Sequence, residues 1–263
     1  MTRPPYTADS VTIPPLYREA LLDLLYQLAD DDLVLGHRAS EWLGVAPDIE
    51  EDVAFSSISQ DEVGHAVFYY TLLESLGQGT ADELAFERPV HLRRNAVLTE
   101  RPIGDWAYTI ARHYFYDVFE DVRLQALENS SYEPLRKGAW KIRREEYYHL
   151  LHHELWFQRL AQAGGEARQR LVTAMAQLAE DVGSLFDVGP HSGVLFDQGI
   201  LPVRPKALQD QWRLRVLEVC NRSGLEWPAN LPVTQSRSEH TPDLIELVQT
   251  LNEVHDWDRQ AVW

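Results

Sequence analysis

Apolar residues recur at helical spacing along nearly the whole chain, and the breaks between them follow a short, long, short order. Leu21, Leu24, Leu25, Leu28, Leu33 and Leu35 fall at intervals of three and four after Pro14 and Pro15, which predicts a helix from about Pro15 to Leu43. A break at Gly44 and Pro47 leads to a second helix, from about Asp48 to Leu76, with Val53, Ile58, Val63, Val67 and Tyr70 as its apolar stripe. Gly64 within it predicts a close helix approach, and Gly77 and Gly79 stop it. The polar stretch from about Gln78 to Ile103, with Pro89 and Pro102, is too long for a turn between neighbours and reads as a crossover. A third helix from about Gly104 to Leu127 and a fourth from about Glu133 to Ala163 follow, joined by a short turn. Further helices are predicted at about Glu166–Val188, Pro205–Ser223 and Thr241–Ala261, with a surface loop from Gly189 to Pro205. No segment shows a strand pattern.

Two helical hairpins joined by one long crossover are the arrangement of ferritin-like bundles. The expected fold is therefore all-α: a ferritin-like four-helix bundle with additional C-terminal helices. The chain is expected to form a single domain over 1–263, with the bundle core at about 15–164 and a helical extension at about 166–263.

In such bundles metal ligands project inward from all four helices, so ligand-type residues are expected at matching heights. Glu62 with His65, and Glu146 with His149, form Glu-x-x-His pairs on the second and fourth helices. Residues three apart share a helix face, so each pair presents a carboxylate and an imidazole to one point. One pair alone is weak evidence, since a solvated face is the ordinary reading; two on these helices are specific. On the first helix Asp32 lies 30 positions before Glu62, and it interrupts an apolar run together with Asp30 and Asp31. At least one of the three is expected to point inward, and Asp32 is chosen. On the third helix Asp117, 29 positions before Glu146, ranks ahead of Glu120, 26 before it. A salt bridge to Arg112 or Arg123 is the structural alternative for either. His113, His152 and His153 read as supporting, surface or core residues, with His153 singled out because it lies one turn beyond His149. A carboxylate and imidazole shell without thiolates favours two iron ions, with manganese as the alternative.

Composition bounds the partners. With 24 Lys and Arg against 41 Asp and Glu, the formal charge of −17 argues against nucleic acid or an anionic membrane surface as a general partner. Most of these carboxylates read as solvated surface. The single Cys220 excludes an internal disulfide, and the N-terminal MTRPPYTADS has no charged-then-apolar leader pattern, so the expected compartment is the cytoplasm. No apolar run reaches the roughly 20 residues of a membrane span. No Gly-rich phosphate loop or nicotinamide domain is present in the sequence, so electrons for any redox reaction at such a metal pair would have to come from elsewhere. Arg93, Arg94 and Lys137 read as solvated charges rather than as a binding patch for phosphates.

At LADDDLVLGHRASEWLGVAP, LAFERP, DWAYTIARHYFYD and the terminal Trp263 the chain resembles the ferritin-like subunits of bacterial phenylacetyl-CoA ring-1,2-epoxidase, in particular the structural, PaaC-type subunit. QDEVGH at 60–65 and REEYYH at 144–149 look instead like the motifs of the catalytic, PaaA-type subunit. The resemblance implies insertion of one oxygen atom into the aromatic ring of a CoA thioester, a catalytic PaaA-type partner, a separate NADPH-dependent reductase, and a homo- or hetero-oligomer. It also leaves two roles open: a metal-binding member, or a non-catalytic scaffold whose Trp257 and Trp263 serve as interface anchors.

Overall fold

Capping residues set the helix boundaries in the computed structural model, which describes residues 6–7, 13–227 and 235–259. Helix α1 spans Pro15–Ser40 and α2 spans Ile49–Ser75. The Asp48 carboxylate caps α2 by accepting the Glu51 N–H at 2.9 Å, which satisfies one of the donors a helix start leaves open. A π turn at Glu83–Glu87, a 3-10 turn at Val90–Leu92 and the short α3, Val97–Glu100, follow. Helix α4 is Trp106–Leu127, starting two residues later than the sequence suggested because Asp105 is its cap, accepting from Tyr108 N at 2.9 Å. Helix α5 is Glu133–Ala163 and ends at Gly164, whose φ of 68° few residues other than glycine adopt. Then come α6 (Gly165–Leu178), a 3-10 turn at Val182–Phe186, α7 (Ser192–Asp197), α8 (Pro205–Arg222) and α9 (Pro242–Trp257). The expected Glu166–Val188 helix is thus broken after Leu178, and the expected loop 189–205 contains the short α7. Ala261 and Trp263 lie outside the described residues. Among the described residues no strand forms, apart from an isolated bridge between Tyr6 and Tyr132, and no helix is long and apolar enough to cross a membrane. The chain is all-α.

The chain divides into two compact units, each assembled from separated stretches: Met1–Leu24 with Ile103–Ser236, and Leu25–Pro102 with Arg237–Trp263.

In the first unit α4 is the central element, packed by α5, α6 and α8. It is buried along nearly its full length, including Ile110, Tyr114, Phe115, Val118, Phe119 and Leu124. Phe115 meets Phe157, Trp212 and Trp227 with ring centroids 5.2–5.9 Å apart, in tilted or edge-on geometries that aromatic quadrupoles favour. Trp212 keeps its indole N–H satisfied by donating to the Phe115 carbonyl at 2.8 Å.

In the second unit α1 and α2 touch at Gly36, where the Ser59 hydroxyl donates to the Gly36 carbonyl at 2.8 Å. A Cβ on Gly36 would stand 2.9 Å from the Glu62 Cβ. Gly64, expected to be the close-approach glycine, has open space around its Cβ position instead. The apolar stripe predicted for α2 is also only half right. Ile58 and Tyr70 are buried, but Val53, Val63 and Val67 are exposed, and the buried face carries Phe55, Ser59, Glu62, His65, Ala66 and Tyr69. Counting apolar residues misplaces that face because its inward positions are partly polar.

The crossover of the second unit is held by buried charge. Asp30 pairs with Arg88, accepts the Tyr70 hydroxyl at 2.6 Å and accepts the Arg94 N–H at 2.7 Å. Asp31 pairs with Arg237 at 2.8 Å and accepts the Ala96 N–H at 2.7 Å. Glu100 meets the His240 ring Nδ1 at 2.9 Å and accepts the Thr241 N–H at 2.6 Å. Arg93 is fully buried and donates to the Ala85 carbonyl at 2.6 Å, so it is no solvated charge. Helix α9 packs Leu244, Leu247 and Val248 against Val34 of α1.

Candidate metal centres

In the second unit the turn of α1 after the two arginine-paired aspartates brings Asp32 against α2. Asp32, Glu62 and His65 are all buried, at 1–4% exposure, and each offers a ligand atom within 4.8 Å of the others'. The spacing of three between Glu62 and His65 puts both on the inner face of α2, and the bare Gly36 lets α1 come close enough for Asp32 to join them. All three consecutive aspartates point inward, where at least one was expected to. Asp30 and Asp31 answer arginines, whereas Asp32 joins the cluster that contains the Glu-x-x-His pair.

In the first unit Glu146 and His149 of α5 are buried on one face, with His149 Nδ1 3.3 Å from Glu146 Oε1. On α4, Glu120 accepts the Arg123 Nε–H at 2.6 Å, and the same guanidinium donates to the Tyr116 hydroxyl at 3.1 Å. That is the salt-bridge alternative foreseen from the sequence, and it matches the buried Glu120 charge locally. Asp117 instead meets His153 of α5, Oδ2 to Nδ1 at 2.6 Å, while its Oδ1 is buried with no hydrogen-bond partner.

A third side chain completes this group. His113, one helical turn before Asp117, is fully buried, and its ring stacks on that of His153 with centroids 4.8 Å apart and 26° between planes. His113, Asp117 and His153 each offer a ligand atom within 4.8 Å of the others'. The spacings were visible in the sequence, His113 to Asp117 and His149 to His153 each being one turn, but a lone buried histidine carries no signal of its own.

Electrostatics in this group favour neutral forms. Burial, reinforced by Glu146 and opposed by His149, holds the Asp117 carboxyl well above the usual carboxylate range. Burial and the neighbouring His149 push His153 down to about 3, with Glu146 opposing. Burial, followed by His153 and Arg112, holds His113 well below its ordinary value. Neutral imidazoles are the form that binds metal ions. Cys220 lies in α8, buried, with its thiol pushed up to about 11 by burial, and so supplies no thiolate at neutral pH.

Comparison with known proteins agrees with the resemblance seen in the motifs. Residues 1–263 match the family described as phenylacetic acid catabolic protein. The C subunit of the 1,2-phenylacetyl-CoA epoxidase of Escherichia coli (strain K12) is 33% identical over 203 residues, covering 77% of this chain and 82% of that protein. The A subunit of the same bacterium's epoxidase is 27% identical over 138 residues, covering 52% of this chain and 44% of that protein.

Proposed function

Because the chain belongs to the phenylacetic acid catabolic protein family, whose all-α, ferritin-like architecture it shares, we propose that it is a subunit of a multicomponent phenylacetyl-CoA 1,2-epoxidase of aerobic phenylacetate catabolism. The reading includes two iron ions, held through Asp32, Glu62 and His65 in one unit and Asp117, Glu146 and His149 in the other. The observation that carries it is that both Glu-x-x-His pairs are buried, each on the inner face of its helix, in a chain that matches the family from end to end.

The donor set suits such ions. It is all carboxylate and imidazole, hard enough for iron or manganese. Glu120 is left out, because its carboxylate already answers Arg123. When bound, the iron pair would supply the oxygen chemistry that an aromatic epoxidation needs. The chain's own part is to bind, to orient and to exclude water. Burial of Glu62, His65, Asp117, Glu146 and His149 keeps bulk solvent from the ligands. His153 Nδ1 and Asp117 Oδ2 are hydrogen-bonded at 2.6 Å, which fixes the orientation of that carboxylate. The substrate is a CoA thioester, electrons come from a separate NADPH-dependent reductase, the working form is an oligomer with a catalytic PaaA-type partner, and the compartment is the cytoplasm.

The second reading is a structural component that supports a separate catalytic one. It is favoured by the fuller match to the C subunit of the Escherichia coli epoxidase than to its A subunit, and the exposed Trp257 of α9 suits an interface. Trp263, the other anchor expected from the sequence, lies outside the described residues. Activity of the reconstituted complex separates the two readings. With Glu62→Ala and Glu146→Ala in this chain, loss of epoxidation supports the metal-binding role, and retention of full activity supports the scaffold.

A further inference from the structure

We infer that His113, Asp117 and His153 form a divalent-metal site of their own in the first unit, a two-histidine, one-carboxylate group that takes a first-row transition ion without help from either Glu-x-x-His pair. Its ligands would be a ring nitrogen of His113, an oxygen of Asp117 and Nδ1 of His153.

Three observations carry this. The first is geometry: the three ligand atoms lie within 4.8 Å of one another. Ligands about 2.1 Å from an ion and at right angles around it stand about 3 Å apart. The Asp117 to His153 separation of 2.6 Å is already near that value, so an ion can take the place of the hydrogen-bonding proton with side-chain adjustments. The second is the donor set, two imidazoles and one carboxylate, which suits ferrous iron, cobalt or zinc and keeps coordination positions open. The third is the buried Asp117 Oδ1, which no hydrogen bond satisfies. Leaving such an atom unpaired in a core is costly, and coordination by a cation would offset that cost.

Two features support rigidity. The ligands sit on the long helices α4 and α5, the most extensively packed pair in their unit, and the stacked rings of His113 and His153 hold both imidazoles side by side. Asp117 contributes to the iron reading as well, but His113 and His153 do not, and this makes the two claims separable.

The test is a cobalt(II) titration of the full chain after chelator treatment, read by equilibrium dialysis and by the visible d–d absorption of the bound ion. In the Glu62→Ala, Glu146→Ala variant about one cobalt per chain is expected to remain, and adding His113→Gln and His153→Gln is expected to remove it with its absorption band. Far-ultraviolet circular dichroism on each variant establishes that the helices persist. A Glu62→Ala, Glu146→Ala variant that is folded yet binds no cobalt overturns the proposal, as does bound cobalt that survives His113→Gln and His153→Gln. Either outcome leaves the iron reading standing, because that reading concerns only the ions lost with Glu62 and Glu146.

Discussion

Gly36 is the position where one added carbon should do most damage. Its missing Cβ leaves room for Glu62 Cβ at 2.9 Å, with the Ser59 carbonyl and Val63 Cγ2 both at 3.3 Å, and none of these is the free end of a flexible chain. In an open helix Gly→Ala gains about 1 kcal/mol. Here overpacking of about 1–3 kcal/mol opposes that gain, and α1 must move away from Glu62. Gly36→Ala is therefore expected to lower both the urea midpoint and the metal content, whereas Gly64→Ala, in open space, should leave metal content unchanged and stabilise slightly. Cys220 gives a second prediction at this scale. Its thiol is raised by burial from 9.0 to about 11, so between these values the folded state keeps a proton that the unfolded state has lost. Stability is therefore full below about pH 9 and falls as pH rises, by about 1 kcal/mol at pH ~10. Urea unfolding at neutral pH and at pH ~10 should show that loss in the native chain and a smaller one in Cys220→Ala.

At the scale of elements, the long helices were legible because leucine and aromatic spacing, capping aspartates and stop glycines all agree on where they begin and end. The α2 face was not. Its inner positions hold Ser59, Glu62 and His65 while valines face outward, so the hydrophobic pattern points the wrong way wherever ligand-type residues occupy the interior. The crossover was read as polar and irregular, and what organises it cannot be found by periodicity. Asp30, Asp31 and Glu100 are matched to Arg88, Arg237 and His240 across long sequence separations. Removing one member of such a buried pair leaves the other charge uncompensated, at a cost of about 3–5 kcal/mol. Arg237→Ala is expected to lose that much and to raise hydrogen exchange across α9 and residues 93–100, while Asp31→Asn combined with Arg237→Met should recover most of the loss. Equal destabilisation by the single and combined variants would show that the pair is not what ties this segment down.

For the whole molecule, the acidity that argues against nucleic acid and anionic membrane surfaces divides into two populations. Most of the 41 carboxylates remain ordinary surface charge, but Asp30, Asp31, Asp32, Glu51, Glu62, Glu100, Asp117, Glu120, Asp121, Glu146 and Asp181 are buried. Five of these, Asp30, Asp31, Glu100, Glu120 and Asp121, meet arginine or histidine partners; Asp32, Glu62, Asp117 and Glu146 fall in or beside histidine-bearing groups. Sequence spacing picked out Glu62, His65, Glu146 and His149 because two Glu-x-x-His pairs, one on α2 and one on α5, are more specific than one, and all four side chains are buried. It could not settle Asp117 against Glu120, since that depends on which of them Arg123 reaches. It gave His113 no weight because the partner that makes it notable, His153, is 40 positions away on another helix. The proposed function requires that the buried carboxylates and histidines at the two motifs hold iron. The most direct measurement is the iron content, with Mössbauer spectroscopy, of the full chain purified after iron-replete expression, beside its Glu62→Ala, Glu146→Ala variant. The native chain is expected to hold at least about two irons, and the folded variant to have lost about two. Fewer than about one metal ion per native chain, or equal iron in the two proteins, would contradict it.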